Sequence, residues 1–102
     1  MEASNKLIAE FMGLETTFNE ISDATLYTYK GIEEASAITF VVDVELYEMR
    51  YHLSWDWLMP VIEKCYVLDT TTYYRTIHYS MESFDIEKVY IEVVDFIKNF
   101  NN

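Results

Sequence analysis

From Ala37 to Glu48 the chain alternates with a period of two residues. Ile38, Phe40, Val42, Val44 and Leu46 fall on one side of an extended strand, and Thr39, Val41, Asp43, Glu45 and Tyr47 on the other. A slip of one residue would exchange the two sets, so the pattern demands one buried face and one acidic, solvated face. Such a strand needs neighbours and a covering layer.

The neighbours and the layer can both be read from the chain. Ala24 to Lys30 (ATLYTYK) is rich in β-formers and is predicted to be a strand closed by Gly31. Thr71 to Met81 reads as a further strand, with Tyr73, Arg75, Ile77, Tyr79 and Met81 alternating against Tyr74, Thr76, His78 and Ser80. Helical spacing governs three other segments. Ser4 can cap a short helix reaching about Met12, with Leu7, Ile8, Phe11 and Met12 on its apolar face, and Gly13 ends it by accepting positive φ. From the Asp85 cap onward, Ile86, Val89, Tyr90, Val93, Phe96, Ile97 and Phe100 line one face, while Glu87 and Lys98 suit the macrodipole.

The third helical segment is Ser54 to Cys65, SWDWLMPVIEKC, which holds both tryptophans, the only proline and the only cysteine. Ser54 can cap it, and Trp55, Leu58, Ile62 and Cys65 recur at helical spacing. Pro60 removes a backbone donor, so the helix is expected to kink or to start late. The expected architecture is α+β: one domain over residues 1–102, an antiparallel sheet of three or four strands with helices packed on one face.

Charge narrows the function classes. The chain has 18 acidic and 7 basic residues, a net charge of −11. Such a surface repels phosphates and anionic lipids, which argues against direct nucleic-acid or membrane binding. The segment from Glu10 to Glu48 holds nine acids against Lys30 alone, and so carries −8 of that charge. Solubility accounts for part of this, and a negative face for a basic partner is the sharper reading. No apolar run approaches the roughly 20 residues needed to span a bilayer, and the polar opening MEASNK has no signal-peptide pattern. With one cysteine there is no internal disulfide, and the expected setting is cytoplasmic.

Catalytic and ligand-binding patterns are sparse. His52 and His78 are the only histidines, and no spacing rule joins them to each other or to Cys65, which lies on an apolar helical stripe. No zinc or calcium spacing occurs, and Gly13 and Gly31 are isolated, so no phosphate loop is expected. Asp43 and Glu45, two apart on a strand, fit a solvated sheet face better than a hydrolytic pair. Neither an enzyme nor a cofactor is expected. The nine tyrosines are numerous, and Tyr27, Tyr29, Tyr47, Tyr73 and Tyr74 fall on expected strands. Strand propensity explains them, and exposed members would suit a protein interface.

Ser54–Cys65 resembles a motif of short uncharacterised proteins of bacteriophages and prophages, particularly those of Bacteroidetes hosts. Ile8–Gly13 (IAEFMG) and Val94–Asn101 (VDFIKNFN) are similar to flanking pieces of the same family, and the three together cover about a third of the chain. The family more often has a Trp-Tyr pair where this chain has Asn99-Phe100, and Glu15 to Tyr51 has no counterpart in it. The resemblance implies a setting, the host cell's cytoplasm, and no activity. Phages encode small acidic inhibitors of host machinery, anti-CRISPR proteins among them, that present carboxylates in place of phosphates.

Two expectations follow. The first is an inhibitor of a host nucleic-acid-handling complex, such as a CRISPR effector, acting through an acidic, nucleic-acid-mimicking surface. Glu33, Glu34, Asp43, Glu45 and Glu48, with Tyr47 beside them, would meet the basic host protein. The alternative is a phage accessory or assembly protein working through a homo-oligomeric interface, for example a homodimer that buries a tyrosine-bearing sheet face.

Overall fold

The computed structural model describes residues 2–33 and 38–101, with side chains described outside residues 31–40. The chain divides into two compact units, Met1–Met49 and Arg50–Asn102. The class is α+β, as the alternating and helical patterns require.

The first unit opens with helix α1, Glu2–Phe11, which buries Asn5, Ile8 and Ala9 at i, i+3 and i+4. Gly13 ends it at φ 69°, as expected from the residue type. The Gly13 N–H donates to the Glu10 carbonyl (3.1 Å) and the Leu14 N–H to the Ala9 carbonyl (3.1 Å), the paired bonds of a Schellman cap.

Three strands follow in the order β1-β2-β3. Strand β1, Thr16–Asn19, and β2, Ala24–Glu33, form a hairpin in which Asn19 pairs with Ala24. Asn19 Oδ1 accepts from the Ile21 N–H (3.0 Å), and Asp23 takes φ 53°, so two short polar side chains shape the turn. Strand β2 continues through Gly31, where the sequence placed its end, because the register with β3 runs unbroken to the pair Glu33–Ile38. Strand β3, Ile38–Val44, is shorter than the Ala37–Glu48 alternation; Ala37 lies outside the described residues. Leu46–Glu48 instead form a 3₁₀ turn. Local bonds compete with the strand there: Glu48 Oε1 accepts from the Glu45 N–H (3.0 Å), and the buried Asn5 side chain donates to the Leu46 carbonyl (3.1 Å).

The second unit is helical. Helix α2, Trp55–Leu68, buries Leu58, Val61, Ile62 and Cys65, while Trp55, expected on that stripe, stays 37 % exposed. Ser54 occupies the cap position with extended backbone, and its carbonyl accepts from the Trp57 and Leu58 N–H groups. Pro60 is accommodated inside a helix that starts at Trp55, so the expected late start does not occur. Tyr51 meets Trp57 edge-on, with centroids 5.2 Å apart. Helix α5, Ile86–Phe100, follows the expected stripe in burying Val89, Tyr90, Val93, Phe96 and Ile97, but Phe100 is half-exposed. Asp85 caps it, accepting from the Glu87 N–H at 3.0 Å.

The expected strand Thr71–Met81 is a correction. The segment forms two short helices, α3, Thr70–Arg75, and α4, Ile77–Met81, joined at Thr76. Asp69 turns the chain into them, accepting from Thr72 twice: from its N–H (3.1 Å) and its hydroxyl (2.8 Å). The hydroxyls of Thr70 and Thr76 donate back to the carbonyls of Tyr66 and Thr72, which satisfies residues that would otherwise favour a strand. Tyr73 and Tyr74 are therefore helical, and only Ile77 of the segment is buried. Strand propensity loses here to a cap that acts within three residues of chain.

Two outcomes are expected. The bonds from Thr72 hold the Asp69 carboxyl below its ordinary value. That stabilisation is present above the unfolded carboxylate value of about 3.9 and is lost as pH falls through the lower folded value. Asp69→Asn removes this part of the acid-induced loss, measured by circular dichroism melts between about pH 5 and pH 2; an unchanged acid limb would count against the cap. Burial pushes the Cys65 thiol up to about 12, with no exposed surface. Iodoacetamide at pH 8 should label it only through unfolding, at least a hundredfold slower than in denaturant.

Candidate functional site

The carboxylates named from the sequence do not all gather. Glu45, Tyr47 and Glu48 come together because the 3₁₀ turn brings residues three apart onto adjacent positions. Tyr47 is 68 % exposed, and its phenol is raised above its ordinary value by the Glu45 carboxylate first and the Glu48 carboxylate second. Asp43 precedes this turn on β3. It is exposed, and its Oδ1 accepts from the Thr28 hydroxyl across the strand pair at 3.0 Å.

Glu33 lies at the other end of the ladder. It pairs with Ile38, six positions along from the pair Tyr27–Val44, so about 20 Å of strand separates it from the turn. Glu34 lies outside the described residues. The acids therefore fall at opposite ends of the β2–β3 ladder rather than in one cluster, Glu33 on β2 and Asp43 on β3.

Beside the turn is an open groove of about 310 Å³, lined by Glu2 and Lys6 of α1, Thr25 and Tyr27 of β2, and Glu45, Leu46 and Tyr47. Lys6 was not singled out by sequence, since nothing in the pattern places α1 beside the turn; the Asn5–Leu46 hydrogen bond does so. The groove mixes both charges around an exposed phenol. It can offer hydrogen bonds and carboxylates to a partner side chain.

The groups that could carry chemistry lie elsewhere. Among the described residues no three His, Cys, Asp or Glu side chains are grouped to hold a metal ion. Cys65 is buried. His52 lies against Tyr90 with ring centroids 5.8 Å apart, and its Nδ1 is buried without a hydrogen-bond partner. His78 sits in an aromatic cluster missed by the strand reading: it meets Tyr74 at 5.0 Å, and Tyr66, Tyr73 and Tyr74 meet edge-on at 5.2–6.0 Å. The helical signal was present, since Tyr74 and His78 are four apart and Tyr66, Tyr73 and Tyr74 fit one helical face. Burial, then the neighbouring phenols, raises Tyr73 above its ordinary value.

No protein-family model, curated protein or solved structure matches this chain. No helix among the described residues is long and apolar enough to cross a membrane.

If Glu45 and Glu48 set the state of Tyr47, replacing both with Gln lowers the Tyr47 pKa toward the ordinary value of about 10. Carbon-13 NMR of labelled tyrosines would follow this through the alkaline range. An unshifted Tyr47 in the double variant would show that the carboxylates do not act on it.

Proposed function

We propose that this is a small acidic interaction protein that inhibits a nucleic-acid-handling complex of a host cell, with a CRISPR effector the first target to try. The observation that carries this reading is the exposed Tyr47 held between Glu45 and Glu48, with Asp43 exposed just before them. Carboxylates on an ordered turn present negative charge at fixed positions, as a phosphate backbone does. An enzyme that grips nucleic acid keeps a basic groove, and an acidic surface steers toward such a groove at low salt. Tyrosine beside the charges adds contact area at small entropic cost.

The charge supports the same reading, since −8 of the net −11 lies between Glu10 and Glu48. The phage setting rests on the resemblance of Ser54–Cys65. The alternative, a copy of the chain pairing through strand tyrosines, has less to work with: Tyr27 and Tyr29 are buried within the chain itself.

Purified protein should displace guide or target nucleic acid from a candidate effector at 50 mM salt, and less so at 300 mM. The triple variant Asp43→Lys, Glu45→Lys, Glu48→Lys should compete at least tenfold more weakly, with an unchanged far-ultraviolet spectrum. Reversal at Glu33 and Glu34 tests those two carboxylates separately. Absence of competition at low salt across basic effectors would sink the mimic.

A further inference from the structure

The sheet has two edges, and they are not equivalent. Strand β1 has four residues, whereas β3 has seven, of sequence ITFVVDV. Natural sheets guard long edges with lysine, proline, bulges or inward charges. Strand β3 has no lysine, proline or glycine, and its pairing with β2 runs without a bulge. Its one charge, Asp43, is engaged by Thr28. At its middle, Val41 is 57 % and Val42 40 % exposed.

The outward-facing backbone groups can be assigned. The Thr28 N–H donates to the Glu15 carbonyl at 2.9 Å, so Thr28 turns its peptide groups toward β1. Alternate residues of a strand face opposite neighbours, so Tyr27 and Tyr29 turn theirs toward β3. Their partners Val44 and Val42 therefore bond to β2, which leaves the N–H and C=O groups of Val41 and Asp43, with Thr39 one step earlier, on the open edge. The Thr28–Asp43 side-chain bond agrees, since the closer side chains belong to pairs that do not exchange backbone bonds.

We infer that the outer edge of β3 is a strand-pairing site for an extended segment of a basic protein, apolar at its centre and bearing Lys or Arg at the end that meets Asp43, Glu45 and Glu48. Backbone bonds from Val41 and Asp43 would supply the pairing, and Val41 and Val42 the apolar contact. The basic end follows from Asp43, near the end of β3, and from Glu45 and Glu48 just beyond it. A second copy fits worse. Its β3 brings no basic residue to Asp43, Glu45 and Glu48, and two copies of so acidic a chain repel one another. That the partner is basic rests on the function proposed above; the strand geometry does not.

A labelled peptide KKVTVTVKK is the probe, with EEVTVTVEE as its charge-reversed form. Fluorescence anisotropy and amide hydrogen exchange are read together at 50 mM and 300 mM salt. The basic peptide should bind more weakly at the higher salt and slow exchange at Val41 and Asp43, and the acidic one should bind at least tenfold more weakly. Val41→Pro removes an outward N–H while sparing the bonds to β2, and should weaken binding at least tenfold. Exchange in the unaltered protein decides the matter should that variant fail to fold.

Basic-peptide binding that leaves both amides unprotected would overturn the strand site and spare the acidic reading. Equal protection by both peptides would keep the strand site and overturn its basic partner. Protection that grows with protein concentration alone would name a second copy as the occupant and overturn the inference. No binding of either peptide at 50 mM salt would overturn it outright.

Discussion

The pairing of β2 with a strand on each side is the constraint on which the first unit depends. One backbone bond, from the Thr28 N–H to the Glu15 carbonyl, sets which β2 residues turn toward β1, and alternation then gives the rest to β3. The same parity decides the side chains. Tyr27 and Tyr29 lie on one face with Val42 and Val44, and Thr28 lies on the other with Asp43. The buried tyrosines and the exposed carboxylate are thus two consequences of one register. A shift by a single residue would bury Asp43 and expose both tyrosines.

Much of this was legible in the residues, and the failures have a common cause. Gly13 ended its helix because an αL position after an apolar face admits few other residues. The Asp85 cap and the stripe from Val89 to Ile97 were read correctly because helix α5 combines a terminal signal with three turns of periodicity. The segment Thr71–Met81 carried the wrong signal. Its threonines and tyrosines favour strands, but that preference is expressed only beside a sheet edge, whereas the Asp69 cap acts within three residues of chain. The same local bonding ended β3 before Glu45. Side chains that hydrogen-bond their own backbone override an alternating pattern wherever no partner strand enforces it.

Ser54–Cys65 illustrates the opposite case, an uncommon composition with an ordinary role. Leu58, Ile62 and Cys65 are buried as their spacing required, joined by Val61, while Trp57 rather than Trp55 makes the aromatic contact with Tyr51. Fully burying a side chain such as Leu58 is worth about 1.5–3 kcal/mol, and several such residues on α2 and α5 build the core of the second unit.

The candidate site was legible as composition but not as geometry. A run of nine acids against Lys30 marks Glu10–Glu48 as negative, yet charge count is blind to the ladder that carries Glu33 of β2 and Asp43 of β3 to its opposite ends. The 3₁₀ turn then adds Glu45 and Glu48 at one end, around an exposed Tyr47. An acidic patch at a single point attracts any cation, and its contribution fades within a Debye length of about 8 Å at physiological salt. Carboxylates gathered at one end of an open strand edge would be more selective, because a strand pairing there would also be fixed in direction. They would favour a segment with its basic residues at one end and uncharged residues along the rest. Placement of charge along an edge, more than its sum, is what would let so acidic a chain choose among basic surfaces.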